Sequence, residues 1–188
     1  VQQLDKDFKP VENGPEYHEL AKIVYKEVRR IDQTINDFLR FSRPEPLNPE
    51  EFTLKELFNN LNQQYHSLLK PNKIQLIIDL KWDESVFWDL NQIRQVFMNL
   101  LQNSIDAMGS GGKISITSEL YSPEHINIIF KDTGPGISDE LKQKIFNLYF
   151  TTKAKGTGIG LSIVQRIISE HNGVINLING SIGTTFKI

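Results

Sequence analysis

The stretch from Asp89 to Met108, DLNQIRQVFMNLLQNSIDAM, most constrains the fold of this chain. Apolar residues recur in it at intervals of three and four, which is the spacing of an amphipathic helix. Asp89 suits the N-cap position, and Gln92 stands at the capping-box position three residues later. We therefore expect the remaining elements to be organised around one helix, whose apolar residues are Ile93, Val96, Phe97, Leu100, Leu101, Ile105 and Met108.

The polar side of this helix carries two amides. Asn99 and Asn103 are four residues apart, so they lie one turn above each other on one face, with Asp106 close by. A carboxamide oxygen is a hard, neutral ligand suited to Mg²⁺, which takes few protein groups and keeps positions for water and phosphate oxygens. The pair indicates a magnesium site, with two merely solvated amides as the alternative.

A long helix precedes this region. After a predicted loop over residues 1–15, apolar residues alternate by threes and fours from Glu16 to Ser42 in a coiled-coil-like stripe. Pro44 and Pro46 are expected to end the helix, and residues 43–52 form a proline-rich linker. Such a helix has to bury its stripe against another helix or another subunit. The stripe comprises Leu20, Ile23, Val24, Val28, Ile31, Ile35, Phe38 and Phe41.

The sequence predicts two domains, a helical one over residues 1–46 and an α/β one over residues 47–188. In the second, helices are predicted over 54–69, 89–108, 139–147 and 160–171. Strands are predicted over 74–80, 82–88, 113–120, 126–131, 174–178 and 184–188. These elements imply a two-layer sandwich with a mixed, mostly antiparallel sheet and helices on one face.

Composition excludes several classes of function. The 188 residues are 39% hydrophobic, which supports a core, and the formal net charge of −2 gives no electrostatic footprint for nucleic acid. Cysteine is absent, so neither a disulfide nor a thiolate metal site is available. No apolar run approaches about 18 residues, the length of a membrane span. We expect a cytoplasmic protein with no membrane segment in this chain.

Two glycine-rich motifs stand in the second half of the chain. In Asp132-Thr-Gly-Pro-Gly-Ile137 a carboxylate at a strand end precedes a sharp turn, where it can accept the exocyclic amino group of adenine. In Gly156-Thr-Gly-Ile-Gly-Leu161 the glycines precede an apolar helix, so backbone N–H groups can face phosphate oxygens. Neither motif is specific alone. The second is not a P-loop, since no lysine follows Gly160, and no strand precedes it as in a dinucleotide-binding fingerprint.

Residues 145–153, IFNLYFTTK, lie between the two glycine motifs. Phe146, Tyr149 and Phe150 are predicted to pin a mobile lid to the core, and Lys153 to supply positive charge to phosphates. The alternative is an ordinary core-facing aromatic cluster followed by a solvated lysine.

The order of five motifs is more specific than any one of them. NLLQNSIDAM, DTGPGI, IFNLYFTTK, GTGIGL and GTTF together resemble the ATP-binding domain of bacterial two-component sensor histidine kinases. These kinases belong to a wider family with gyrase-type and chaperone ATPases. The resemblance covers roughly residues 52–188. The helix that ends in FLRFSRP also resembles the second helix of the kinases' dimerisation hairpin, close to the nitrogen-regulation type.

The resemblance implies a role for each matching residue. Catalysis would fall to Asn103 as the Mg²⁺ ligand, to Lys153 at the phosphates and to Asn99. Asn99 stands where the related ATPases carry a water-activating glutamate. Because an amide takes no proton at neutral pH, Asn99 fits transfer to protein better than hydrolysis. Asp132 would read adenine, within a nucleotide-binding set of Asn103, Asp106, Asp132, Gly134, Gly136, Ile137, Thr151, Thr152, Lys153, Gly156, Thr157, Gly158, Ile159, Gly160, Leu161 and Thr184.

The resemblance also implies a reaction and partners. The γ-phosphoryl group of Mg·ATP would pass to a histidine and then to the receiver domain of a response regulator, within a homodimer formed by the helical hairpin. The family's acceptor, a histidine followed by Glu and an Asn-Pro, does not occur in this sequence. His18 precedes Glu19 but lies on what resembles the second helix, so it is not expected to be the acceptor. We expect a catalytic fragment whose acceptor helix is missing.

Three alternatives remain open from the sequence. One is a nucleotide-gated interaction module without catalysis, and another is a serine kinase of the anti-sigma type. The long helix with its FLRFSRP exit argues against the serine kinase. The third alternative, a helical dimerisation domain with an incidental α/β partner, does not explain five ordered motifs.

Overall fold

A computed structural model of the protein describes residues 14–42, 46–153, 156–179 and 182–188. The chain divides into two compact units, with the division between Glu45 and Pro46. The described part of the first unit is one helix, α1, over Gly14–Ser42. Within the described ranges, no helix combines the length and the apolar character that crossing a membrane requires.

Helix α1 carries the expected apolar stripe. It begins at Gly14, earlier than predicted, because Pro15 is compatible with the first turn of a helix. The remainder of the predicted N-terminal loop, Pro44 and the side chains of Phe38 and Phe41 lie outside the described residues. The six described apolar side chains are 50–58% exposed: Leu20, Ile23, Val24, Val28, Ile31 and Ile35.

The second unit is built on a five-stranded sheet of order β2-β4-β5-β7-β6. Its strands are β2 (Ile74–Leu80), β4 (Gly112–Ser122), β5 (His125–Asp132), β6 (Asn176–Asn179) and β7 (Thr184–Lys187). Only the β2–β4 pair is parallel among these strands. A second, two-stranded sheet pairs β1 (Glu50–Thr53) with β3 (Ser85–Trp88) antiparallel. The predicted mixed, mostly antiparallel sheet is confirmed.

Four helices accompany the sheets: α2 (Leu54–Leu69), α3 (Leu90–Met108), α4 (Asp139–Lys142) and α5 (Gly160–Glu170). Alternate strand residues face the helices, as the buried Ile114, Ile116, Ile128 and Phe130 show. The rings of Phe58 on α2 and Phe97 on α3 meet edge to face, with centroids 4.7 Å apart. The core therefore lies between the sheet and the helices, around α3.

The start of α3 is tied to the end of α5 through Asp89 and His171. Asp89 caps α3, since its carboxylate accepts the N–H groups of Gln92 and Asn48, both at 3.0 Å. The Gln92 side chain does not complete a capping box, because the Asp89 N–H donates instead to Nε2 of His171 at 3.2 Å. The Nδ1 atom of His171 lies 2.8 Å from the Ile167 carbonyl oxygen. One ring therefore connects the residue that caps α3 to the last turn of α5.

The strands predicted over 82–88 and 174–178 are shorter or shifted, at Ser85–Trp88 and Asn176–Asn179, and two further differences depend on packing. The expected linker includes β1, because Phe52 is buried and its ring lies against Trp88 with centroids 6.5 Å apart. The helix predicted over residues 139–147 ends at Lys142. Turns with i to i+3 hydrogen bonds follow, and they bury Ile145 and bring the Phe146 ring to 6.3 Å from the core residue Phe186. In both cases aromatic packing outweighs local preference.

Candidate functional site

The predicted site residues meet at one end of the five-stranded sheet. Asp132 ends β5, and Thr184 begins β7, the strand paired with it. The C-terminal half of α3 covers this end through Ser104, and Gly160 at the start of α5 faces Asn99 of the same helix. Residues from four elements that are distant in the sequence thus form one cluster.

Asp132 is buried and held by three hydrogen bonds. Its Oδ1 accepts the backbone N–H groups of Gly134 at 2.9 Å and Thr184 at 3.0 Å. Its Oδ2 accepts the hydroxyl of Ser104 at 2.7 Å, and only 3% of Asp132 is exposed. A carboxylate has about four lone-pair positions, so one position on Oδ2 stays available to a donor from a ligand. The group can therefore accept an N–H and repel a carbonyl.

Glycine backbones surround Asp132 closely. Gly183 has φ +80°, and a Cβ there would overlap the carbonyl oxygen of Asp132. Gly136, with φ +78°, would bring a Cβ to 3.1 Å from the Gly183 carbonyl oxygen. At Gly134 a Cβ would meet the Asp132 carboxylate at 3.1 Å and Met108 at 3.4 Å. A side chain would clash at Gly183 and would be tightly packed at Gly134 and Gly136, so glycine leaves backbone surface next to the carboxylate.

The amide face of α3 binds a cation that the protein itself supplies. The ammonium of Lys153 donates to Oδ1 of Asn103 at 2.9 Å and to Oδ2 of Asp106 at 2.8 Å. The other oxygen of Asp106 accepts from the Gln102 amide at 2.7 Å. The Lys153 and Asp106 side chains are 39% and 41% exposed, so solvent screens this ion pair. The amide oxygen predicted to bind a metal thus already faces a positive charge.

Asn99 of α3 faces the start of α5. Its Nδ2 donates to the Gln95 carbonyl oxygen at 3.0 Å, which leaves Oδ1 directed at Gly160. A Cβ on Gly160 would lie 3.1 Å from this oxygen. The glycine therefore permits close contact between the amide and the N-terminal turn of α5.

The segment before α5 is shaped by a turn at Thr151 and a strained residue at Tyr149. Thr151 Oγ1 accepts the Lys153 backbone N–H at 3.1 Å. Tyr149 has φ +66°, and Gly158, with φ +69°, packs its backbone directly on that of Tyr149 and Phe150. Backbone strain in a non-glycine residue concentrates at functional segments.

The other predicted residues of this segment differ in exposure. Ile159 is buried, and its carbonyl oxygen accepts the Ser162 hydroxyl at 2.7 Å. Thr152 is exposed, and a group of six is half-buried: Ile137, Gly156, Thr157, Gly158, Gly160 and Leu161. Tyr149 is 57% exposed, so its predicted packing against the core is wrong, whereas Phe146 does pack there. His18 is exposed on α1.

Two residues of the site were missed in the sequence. Ser104 follows Asn103 directly, and the sequence does not show that its hydroxyl bonds to Asp132, which lies 28 residues away. Gly183 opens the quoted GTTF motif, and its isolation between Ile182 and Thr184 gave no chemical signal of its own. Both residues contact Asp132, which is distant from each of them in the sequence.

The chain belongs to the histidine kinase-, DNA gyrase B- and HSP90-like ATPase family, whose model matches residues 88–188. Within that family it is similar to sensor histidine kinases. AtoS from Escherichia coli K12 is 34% identical over 178 residues, covering 94% of this chain and 29% of AtoS. Sporulation kinase E from Bacillus subtilis is 30% identical over 154 residues, covering 81% of this chain and 21% of the kinase.

Solved structures agree with this assignment. The catalytic domain of the histidine kinase ThkA is 38% identical with a TM-score of 0.68, covering 74% of this chain and 93% of that domain. ThkA in complex with the response regulator TrrA is 31% identical with a TM-score of 0.76, covering 99% of this chain and 53% of ThkA. The fold and family expected from the motifs are confirmed. The chain spans less than a third of AtoS and of sporulation kinase E.

Proposed function

We propose that this chain is the ATP-binding catalytic part of a sensor histidine kinase and transfers the γ-phosphoryl group of Mg·ATP to a histidine on a partner helix. The observation that carries the proposal is the buried Asp132 carboxylate, which keeps one accepting position beside a glycine turn. Adenine offers an exocyclic amino group as the matching donor. Gly134 and Gly136 let the flat base approach the backbone.

The chain's own groups fit one Mg²⁺ held largely by phosphates. Among the described residues, no cluster of three or more His, Cys, Asp or Glu side chains could bind a metal unaided. The Asn103 carboxamide oxygen already faces the Lys153 ammonium, so it suits a cation. Asn103 would hold the ion, with Asp106 next to it, and the ion would neutralise charge on the phosphates.

The residues around the phosphates act by positioning and charge. Lys153 would exchange its bonds to Asn103 and Asp106 for a phosphate oxygen, which moves a positive charge along the segment before α5. Backbone N–H groups of residues 156–160, with Thr151 and Thr152, would complete the anion site at the start of α5. Asn99 faces this turn, and because an amide takes no proton at neutral pH, Asn99 would not act as a base for an attacking water.

Two partners follow from the same proposal. The exposed stripe of α1 would pack in the dimerisation hairpin of a homodimer, because an apolar helix face of this length needs a packing partner. The resemblance of the chain to ThkA, whose structure includes the response regulator TrrA, supports a response regulator as the phosphoryl recipient.

Calorimetric titration with ADP, with and without Mg²⁺, tests the nucleotide site. We expect saturable binding that Mg²⁺ strengthens, and loss of the metal-dependent part in Asn103→Ala. Asn91→Ala on the same helix is the matched control, since Asn91 is exposed at the opposite end of α3. An unchanged metal dependence in Asn103→Ala would remove Asn103 as the ligand.

Phosphoryl transfer needs a separate measurement. The chain is mixed with labelled Mg·ATP and a separately purified dimerisation hairpin that carries the acceptor histidine. Acid-labile label on the hairpin is expected. Nucleotide binding without any transfer would favour the nucleotide-gated interaction module instead.

A further inference from the structure

Ser104 is a buried hydroxyl in the candidate site for which the sequence motifs predicted no function. It is 3% exposed and donates to Oδ2 of Asp132 at 2.7 Å. We infer that Ser104 is the positioning residue that makes the site prefer adenine over a base with a carbonyl at the same place. This inference rests on the proposed function.

The other hydrogen bonds to Asp132 explain why this hydroxyl matters. Both backbone N–H donors, from Gly134 and Thr184, bind the same oxygen, Oδ1. These two bonds hold Oδ1, and they leave Oδ2 with both of its lone pairs open. The Ser104 bond holds Oδ2 and occupies one of the two lone pairs on that oxygen, so one accepting direction remains. The direction in which Asp132 can accept from a ligand is thus set by Ser104.

A single accepting direction discriminates between purines. The amino group of adenine can donate along it, whereas the carbonyl of hypoxanthine presents a lone pair to a negatively charged oxygen. Loss of the Ser104 hydroxyl would release Oδ2 and open its second lone pair, so the amino group would lose a well-aligned, charge-assisted bond. A base with a carbonyl makes no such bond, so it would lose little. The effect of Ser104 therefore falls on the preference between bases.

Helix α3 connects this role to the phosphate end. Asn103 faces Lys153, and the next residue, Ser104, faces Asp132. Successive residues on a helix diverge by about 100°, so one turn of α3 serves both ends of the nucleotide. The helix fixes the distance between the base-reading carboxylate and the cation-binding amide.

The test compares binding of ADP and inosine diphosphate to the whole chain by calorimetry, with Mg²⁺. In Ser104→Ala we expect ADP affinity to fall by about tenfold, the effect of losing a hydrogen bond to a charged group, while the affinity for inosine diphosphate changes by less than about twofold. Ser104→Cys, of similar shape but with a weak donor, should behave as Ser104→Ala does. Ser104→Thr keeps the hydroxyl and should restore the preference for ADP.

Ser118→Ala is the matched control. Ser118 lies on β4, is also buried, and donates its hydroxyl to the backbone carbonyl oxygen of Trp82 and not to Asp132. It should leave the ratio of the two affinities unchanged. Equal losses for both nucleotides in Ser104→Ala and Ser104→Cys would mean that the hydroxyl only supports the fold, and unchanged ADP binding would remove its role. Failure of the unmodified chain to bind ADP would instead overturn the proposed function. Thermal unfolding of each variant confirms that it is folded.

Discussion

Replacing Asp132 by asparagine should change which base the site accepts. Oδ1 of Asp132 receives two backbone N–H groups, from Gly134 and Thr184, so the amide of an asparagine must turn its oxygen toward them. Its NH₂ group then replaces Oδ2, beside Ser104 and the ligand. The Ser104 hydroxyl can rotate to accept from this NH₂ group, so the fold tolerates the change. The ligand-facing acceptor becomes a donor.

The magnitude follows from the bond that is lost. A hydrogen bond to a charged group contributes about 1.5–3 kcal/mol, which is about 10- to 150-fold in affinity. A donor facing the adenine amino group adds repulsion, so ADP affinity should fall by at least about tenfold. The carbonyl of inosine diphosphate would meet a donor, so its affinity should hold or rise. Calorimetry with both nucleotides measures this, with thermal unfolding as the check on folding. An ADP affinity within about twofold of the unmodified chain would refute the role of Asp132 as the base-reading group.

Two further predictions concern stability. In Gly183→Ala the new Cβ would overlap the Asp132 carbonyl oxygen, whereas Gly111→Ala has the same φ of +80° and no neighbour within 4 Å. Denaturant titration should show Gly183→Ala less stable than Gly111→Ala by about 2 kcal/mol or more, and equal losses would mean that backbone strain alone matters. Burial, and then the charge of Asp106, raise the pKa of Tyr65. Because the unfolded chain ionises this phenol first, stability should fall as pH rises above about 10, and Tyr65→Phe should lose less stability between about pH 9 and 11. The same pH dependence in both proteins would contradict this.

Regular periodicity made the central helix and most of the sheet predictable. Helix α3 follows its apolar spacing, and β2 has the predicted bounds, Ile74–Leu80. Element ends were less predictable where tertiary packing decides them. The charged residues Glu50 and Glu51 weaken the strand pattern of the four-residue β1. This strand forms because Phe52 packs against Trp88.

The candidate site was predictable in its motifs but not in its contacts. The Asp132 and Gly134 motif is local, and its hydrogen bond spans two residues. The bond from Ser104 to Asp132 spans 28 residues, and the bond from Lys153 to Asn103 spans 50. Pairings over such separations depend on how the helices lie on the sheet, which no local pattern specifies. The bond from the Asp89 N–H to His171 likewise spans 82 residues.

The link between Asp89 and His171 has a mechanical consequence. It joins α3 and α5 at the ends opposite the proposed phosphate site, and Asn99 lies ten residues further along α3, about 15 Å from that joint. If the two helices tilt about this joint, their displacement grows with distance from it. A tilt of about 10° would displace the start of α5 by about 2.6 Å relative to Asn99. The joint also receives the Asn48 N–H, where the chain enters the domain. A displacement of the chain at Asn48 would therefore reach Asp89 directly, and the resulting tilt would move the proposed nucleotide end of the two helices most.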